Sequence, residues 1–319
     1  MGVQLASSHP QPRIAVILPC YNEEAAIAAT VAGFRQALPG ATVYVYDNNS
    51  RDRTREIAAQ AGAVVRTERQ QGKGHVVRRM FADVDADIYL MADGDLTYDP
   101  QAAPEMVDLL LVEQLDMVVG ARRTPAEREG EAYRAGHVLG NKLFTGLLAG
   151  LFGRSFTDIF SGYRIFSRRF AKSFPALSRG FETETEISVH ALELVMPVGE
   201  VETDYGARPE GSVSKLSTYR DGWRILKTIL HLYRIERPVL FYGSFSLFLV
   251  ALAVVLAIPL AITYFQTGLV PRFPTAILAT GLMILAFLSF FCGLILDTVV
   301  RGRREVRRLF YLSFPAPGD

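Results

Sequence analysis

Between Ile14 and Arg122 short apolar runs alternate with longer segments of helical period. IAVILPCY, TVYVYDN, AVVRTE, DIYLMAD and LDMVVGAR are nearly continuous in apolar and β-branched residues, the pattern of strands covered on both faces. Glu24–Leu38, Arg53–Ala61, Lys73–Asp83 and Pro104–Glu113 lie between them and read as helices. Strand–helix alternation of this kind predicts a Rossmann-like α/β layer on a mostly parallel sheet. Ligands of such sheets bind at the carboxyl ends of the strands, where Asp47 and Asp93 stand.

Residues 123–218 are less regular, with helical runs near Arg134–Phe152 and Glu184–Leu194. In STYRDGWRILKTILHLYRIERP, Trp223, Leu226, Ile229, Leu230 and Tyr233 share one helical face, and most of the basic residues lie off it. That segment, 219–237, reads either as a surface helix packed on its own domain or as an amphipathic helix lying on a membrane. Val239–Phe265 and Thr275–Leu296 then carry no charge at all. Each exceeds the ~20 residues a helix needs to cross a bilayer core. Pro259 is a candidate kink in the first. Lys227, Arg234 and Arg237 precede the pair, Arg301, Arg303, Arg304, Arg307 and Arg308 follow it, and the connecting loop offers only Arg272. This distribution predicts a membrane hairpin over 238–300 with both chain ends cytoplasmic and a basic cytoplasmic tail over 301–319.

Composition narrows the function classes. Of 319 residues half are hydrophobic, and the net charge is +1, which argues against a nucleic-acid binder. Cys20 and Cys292 lie too far apart in sequence to suggest a disulfide framework or a cysteine metal site. Residues 1–12 lack the apolar core of a secretory signal and are expected to form a loose tail.

The candidate chemistry centres on Asp93-Gly94-Asp95. The i, i+2 spacing puts both carboxylates on one side of an extended chain, and glycine between them permits close approach of a ligand. Paired hard oxygens suit Mg²⁺ or Mn²⁺, with ligand phosphates completing the shell. Taken alone the stretch also reads as an ordinary acidic turn, and as an EF-hand it fails, because Tyr98 and Pro104 occupy the glycine and acid positions. GKGHVV is not a dinucleotide fingerprint, since Val77 takes the third glycine position.

The company of that turn is more specific. ILPCYNEE ends the first strand, YDNNSRDRT the second, GKG opens the third helix, DGD ends the fourth strand, and SGYRIF, FETETEI and ARPEGSVSKLSTYRDG follow in order. Over residues 13–237 this order resembles the inverting family 2 glycosyltransferases of GT-A fold. More narrowly it is similar to the polyprenyl-phosphate sugar transferases, the dolichyl-phosphate mannose and glucose synthases and their undecaprenyl-phosphate relatives. The resemblance implies a GT-A domain over 13–218 that moves one hexose from a UDP- or GDP-linked donor to a polyprenyl phosphate at the cytoplasmic membrane face. It implies that Pro19, Tyr21, Asn22, Glu23, Asp47, Lys73, Asp93 and Gly94 bind the donor, and that Asp93 and Asp95 hold the metal. Family members often carry a second aspartate where Asn48 stands, and Asn48 cannot supply that charge.

A phosphate attacking a carbon that bears a diphosphate needs cations on both sides. Arg122 and Arg164, with Ser161 assisting, are expected to hold the incoming phosphate, and Arg208 and Lys215 to close over it. Glu184 is ranked first among Glu182, Glu184 and Glu186 as a catalytic carboxylate, orienting the sugar or an arginine, because an ionised phosphate needs no strong base. Asp158 is expected either beside Arg164 or at the metal. Nucleotide sugar, polyprenyl phosphate and bilayer are the implied partners, and a homo-oligomer is left open. Two other functions stand against this one. A processive polysaccharide synthase would want arginine before Trp223, where Gly222 stands, and a non-catalytic nucleotide-sugar binder has no need of the acidic pair.

Overall fold

The computed structural model describes residues 12–123, 146, 156–177, 182–206, 227 and 233–318. These fall into two compact units, one of residues 1–219 with 307–319 and one of 220–306.

The first unit is built on a seven-stranded sheet, β1 (Ile14–Cys20), β2 (Thr42–Asp47), β3 (Val64–Thr67), β4 (Ile88–Met91), β5 (Met117–Arg123), β6 (Arg164–Ser167) and β7 (Val198–Asp204), in the order β3-β2-β1-β4-β6-β5-β7. All pairings are parallel except those of β6, which runs antiparallel between β4 and β5. The mostly parallel layer read from the sequence is therefore present, and β6 and β7 are additions to its five expected strands. β1 lies inside the sheet between β2 and β4, and Val16, Ile17 and Leu18 are wholly buried.

Helices α1 (Ile27–Ala37), α2 (Thr54–Gln60), α3 (Lys73–Asp83) and α4 (Ala103–Val112) match the four expected ones to within a few residues. α1 buries Ile27, Thr30, Val31 and Phe34, the i, i+3, i+4, i+7 set that one helical face presents. α4 follows a short 3₁₀ turn, Pro100–Ala102, which Asp99 caps by accepting from the Gln101 N–H. Beyond β6 come α5 (Arg168–Ser173) and α6 (Thr183–Glu193). The expected helix near Arg134–Phe152 lies outside the described residues apart from Gly146, as does most of the amphipathic segment 219–237.

At the amino-terminal end of β5 the fully buried Asp116 accepts from Ser167 Oγ at 2.7 Å, Arg169 Nη2 at 3.0 Å and Tyr311 OH at 2.9 Å, and it also pairs with Arg169 Nε. The Arg169 guanidinium lies over the Tyr311 ring, 4.8 Å from its centre. Arg307 pairs with Glu193 at the end of α6. Residues from Arg307 onward thus pack on this unit with side-chain specificity. Nearby, the His190 ring stands edge-on to Phe170 and Phe174, with Nε2 3.1 Å from Ser173 Oγ and Nδ1 without a partner.

The second unit contains α7 (Pro238–Thr267) and most of α8 (Phe273–Leu312). Both are long and apolar enough to cross a membrane, and most of their large apolar side chains are exposed. α8 buries Ala279, Ala286, Gly293 and Val300, a seven-residue repeat of small or short side chains that lets α7 approach closely. Ser246 Oγ donates to Ala286 O at 2.7 Å and Ser289 Oγ to Tyr242 O at 3.1 Å across the seam. Helical pairing continues through Pro259, whose carbonyl accepts from Thr263 Oγ1. Arg304 donates to both the carbonyl and the carboxylate of Glu236, tying the two ends of the hairpin. The first part of the basic segment 301–319 continues α8, which is helical as far as Leu312.

Burial, with a smaller contribution from Arg307, holds His190 neutral down to about pH 3. Its folded pKa lies below the unfolded one near 6.5, so its contribution is intact above pH 6.5 and is lost as pH falls toward 3. Acidifying from pH 7 to 5 should therefore cost about 2 kcal/mol at this residue, a fall of roughly 4–8 °C in the melting temperature. His190→Phe should flatten that part of the profile, as read by thermal unfolding of the full chain in detergent, and parallel profiles would contradict the assignment.

Candidate active site

The acidic turn begins where β4 ends, and its shape is imposed from several sides. Thr30 Oγ1 of α1 donates to Gly94 O at 3.3 Å. Asp95 Oδ1 accepts from the Thr97 N–H at 3.2 Å and from Thr97 Oγ1 at 2.6 Å, closing a tight turn around Leu96, whose φ is 60°. A left-handed leucine is strained, which is common at sites where geometry is over-determined. A Cβ on Gly94 would collide with Cys20 Sγ, so glycine is required there. Cys20 itself is buried, and burial with the nearby acids Glu23, Asp47, Asp93 and Asp95 pushes its thiol pKa well up, leaving it inert.

Asp93 and Glu184 meet at one ammonium. Lys73, the first residue of α3, places Nζ 2.5 Å from Asp93 Oδ1 and 2.5 Å from Glu184 Oε1. Burial alone would pull this lysine's pKa down, but the two carboxylates outweigh it and hold the pKa above the ordinary value. Gly162 of the SGYR motif packs against the pair, and a Cβ there would lie 2.9 Å from Asp93 Oδ2 and 3.3 Å from Lys73 Nζ. The Gly162 N–H donates to Tyr98 OH at 2.8 Å, so Tyr98 joins the loop after the acidic turn to the loop before β6. Its hydroxyl is kept protonated by burial and by Asp93.

The end of β2 supplies a scaffold for the same helix. Asn48 donates to Glu68 O at 3.0 Å and Gln70 O at 2.8 Å, and accepts from the Gly72 N–H at 2.7 Å. An amide makes these three bonds where a carboxylate could not donate two of them, so Asn48 fixes the entry to α3 and hence Lys73. Asp47 is fully buried, and both carboxylate oxygens accept from the Ser50 N–H, at 3.3 and 3.2 Å. It closes its own turn, and Arg55 Nε stands 3.8 Å from Oδ2. Asn22 adopts φ 53° and accepts from the Arg51 N–H at 2.8 Å, while the Glu23 N–H donates to Thr54 Oγ1. Pro19 and Tyr21 are half-buried beside them.

The expected cations separate sharply. Arg122, at the carboxyl end of β5, pairs with Asp158 through two bonds of 2.6 and 2.9 Å and lies over the Tyr205 ring. Asp158 thus orients Arg122 through direct bonds, and its charge also acts on the neighbouring Arg164. Arg164 is fully buried, and its guanidinium donates to Ser161 O at 2.8 Å, Ile159 O at 2.5 Å and Ser188 Oγ at 2.9 Å. Burial lowers its pKa to about 10, still charged at neutral pH. A guanidinium so committed holds the 159–161 loop and does not present itself to a phosphate. Ser161 is committed in the same way: its Oγ is buried, donating to Gly120 O at 2.6 Å and accepting from the Tyr163 N–H. Arg208 and Lys215 lie outside the described residues.

Among the described residues no cluster of three or more His, Cys, Asp or Glu is poised around one point. Asp93 and Asp95 nonetheless fit a hard divalent cation of the kind that takes one or two carboxylates and fills its shell from phosphates and water. The glycine gap at Gly162 leaves Asp93 Oδ2 room that a side chain would fill.

An acidic turn closing the fourth strand, beside an antiparallel strand wedged into a parallel sheet, is the arrangement of a GT-A glycosyltransferase domain. The chain belongs to glycosyl transferase family 2, whose profile matches residues 15–174. It is 32% identical to the glycosyltransferase AglJ of Haloferax volcanii over 293 residues, covering 92% of this chain and 95% of that protein. A dolichyl-phosphate hexose transferase of the same organism is 29% identical, over 70% of this chain and 95% of its own length. In structure the chain resembles glucosyl-3-phosphoglycerate synthase of Mycobacterium tuberculosis, solved with Mn²⁺, UDP and phosphoglyceric acid, at a TM-score of 0.55 and 23% identity over 69% of this chain and 78% of that one.

Gly162→Ala should push Asp93 and Lys73 apart by several tenths of an ångström. Displacements on that scale at a catalytic constellation cost on the order of 10- to 100-fold. Transferase kcat/KM should fall by that much with little change in melting temperature, and unaltered turnover would show that the close packing at Gly162 is incidental.

Proposed function

We propose that this chain transfers one hexose from a nucleoside-diphosphate sugar to a polyprenyl phosphate, with inversion at the sugar carbon. What carries the reading is the presence, in one chain, of a family 2 acidic site and two exposed apolar helices of 30 and 40 residues. Two such helices would hold the domain at the surface where a membrane-bound acceptor lies. The dolichyl-phosphate hexose transferase likeness points the same way. The helices are read as a membrane hairpin, with the GT-A domain and both ends cytoplasmic, because the cations flank the pair rather than its loop.

In this reading Asp93 and Asp95 hold Mg²⁺ or Mn²⁺ together with the donor diphosphate. The metal, when bound, neutralises the leaving group. Lys73 adds a second positive charge at the phosphates, and Asn48 keeps it in register through Gly72. Pro19, Tyr21, Asn22 and Glu23 line the donor side. Arg122 offers a planar fork to the acceptor phosphate, held in orientation by Asp158. Arg164 and Ser161 act as positioning residues beneath it. Glu184 steadies Lys73, and no general base is required because the acceptor oxygen is already ionised at neutral pH.

The test is a donor panel. Full-length protein in detergent with Mg²⁺ or Mn²⁺, polyprenyl phosphate and labelled UDP- or GDP-hexoses should yield a solvent-extractable lipid monosaccharide of inverted anomeric configuration. Asp95→Ala should lower the rate at least ~100-fold, the scale of lost electrostatic stabilisation at a developing charge. Absence of sugar-lipid with every donor would overturn the proposal.

A further inference from the structure

We propose that Lys73 is a resident counter-cation of the acidic site, which gives up Asp93 to the metal only when a nucleoside diphosphate arrives; this rests on the metal-dependent reading above. The geometry is that of a shared ion. Lys73 Nζ lies 2.5 Å from both Asp93 Oδ1 and Glu184 Oε1, and its side chain is 11% exposed. The two carboxylates differ in access: Glu184 is 7% exposed and Asp93 32%. A cation from solvent therefore meets Asp93 first, while Glu184 stays behind the ammonium.

Two positive ions on one carboxylate repel each other, and in a partly buried site water screens them poorly. A divalent ion arriving alone must either displace Lys73 from Asp93 or bind against its charge. A diphosphate changes the balance. It supplies negative oxygens that both the metal and the ammonium can share, so Lys73 can leave Asp93, keep Glu184 and gain a phosphate oxygen. Glu184 is then the pivot on which the lysine swings, which explains a buried carboxylate in a reaction that needs no base. Metal and nucleotide affinities must be coupled, each raising the other by the same factor.

The probes are Mn²⁺, counted as free aquo ion by electron paramagnetic resonance, and UDP or GDP, titrated into full-length protein in detergent. Wild type should bind Mn²⁺ at least ~10-fold more tightly with the preferred diphosphate than without it. Lys73→Met should bind Mn²⁺ alone several-fold more tightly than wild type and yet bind the diphosphate more weakly, so that the coupling factor shrinks to what direct contact between metal and diphosphate supplies. Lys73→Arg, which keeps the charge, should keep the weak metal-only binding. Glu184→Gln leaves the ammonium to Asp93 alone and should weaken metal-only binding further, and this arm decides the matter if Lys73→Met does not fold. The opposite signs for metal and nucleotide in Lys73→Met are what a merely structural lysine would not produce. Unchanged or weaker Mn²⁺ binding in Lys73→Met, or unchanged metal-only binding in Glu184→Gln, overturns the exchange and leaves the transferase reading standing. No Mn²⁺ binding by wild type with either diphosphate overturns both.

Discussion

Lys73 carries a full charge in a place where water hardly reaches, and the structure around it is organised to make that tolerable. An unpaired ammonium so placed would cost several kcal/mol, and removing one partner of a buried pair typically costs about 3–5 kcal/mol. Here the partners come from separate parts of the chain, Asp93 from the end of β4 and Glu184 from the first turn of α6, while Lys73 opens α3. One ammonium thus ties three elements that the backbone connects only through long detours. The requirements then propagate outward. Asn48 must hold the Gly72 N–H so that α3 starts in the right place, and position 162 must be glycine so that the pair can close. Tyr98 must hold Gly162, and Thr30 must hold Gly94.

Much of this architecture is legible in the sequence because burial on both faces leaves a plain signature. The five expected strands and the first four helices all appear, since continuous apolar runs and single-face periodicity survive any tertiary context. The two strands that escape notice fail for identifiable reasons. β6 has four residues and opens with an arginine that is wholly buried, whereas a charged residue ordinarily marks a surface. β7 alternates exposed Glu200, Glu202 and Asp204 with buried Val201 and Thr203 at the edge of the sheet, so its charges disguise it. The end of α8 is hidden similarly. Its arginines read only as charges flanking the apolar run, yet Arg304 pairs with Glu236 and Arg307 with Glu193, partners far away in sequence.

The site was legible as motifs and illegible as roles. Arg122 and Arg164 look equivalent in a string of letters, since each sits beside a motif that suggests phosphate. Placement separates them. Arg122 has a carboxylate partner, which fixes its plane, and an aromatic ring beneath it; Arg164 is fully buried and bonds to two carbonyls, a hydroxyl and the Met117 sulfur. No spacing rule distinguishes the two, because the difference lies in which groups the fold brings within 3 Å. The same holds for Asn48. A missing acidic residue reads as a lost function, whereas the amide makes hydrogen bonds in both directions that an aspartate could not replace.

The cations of this site share a further property with consequences for any phosphate ligand. Lys73 stands on Asp93 and Glu184, and Arg122 on Asp158, so each positive charge is compensated before a ligand arrives. Compensation keeps the domain stable, because the alternative is several desolvated cations repelling one another in one crevice. It also means that a phosphate does not simply add to a positive pocket. It must compete with a carboxylate already at hydrogen-bonding distance, and only a ligand with enough negative oxygens at the right spacing wins on every side at once. In the reading proposed above, the pairing of Lys73 with Asp93 and Glu184 would itself favour a diphosphate over a ligand with fewer negative oxygens.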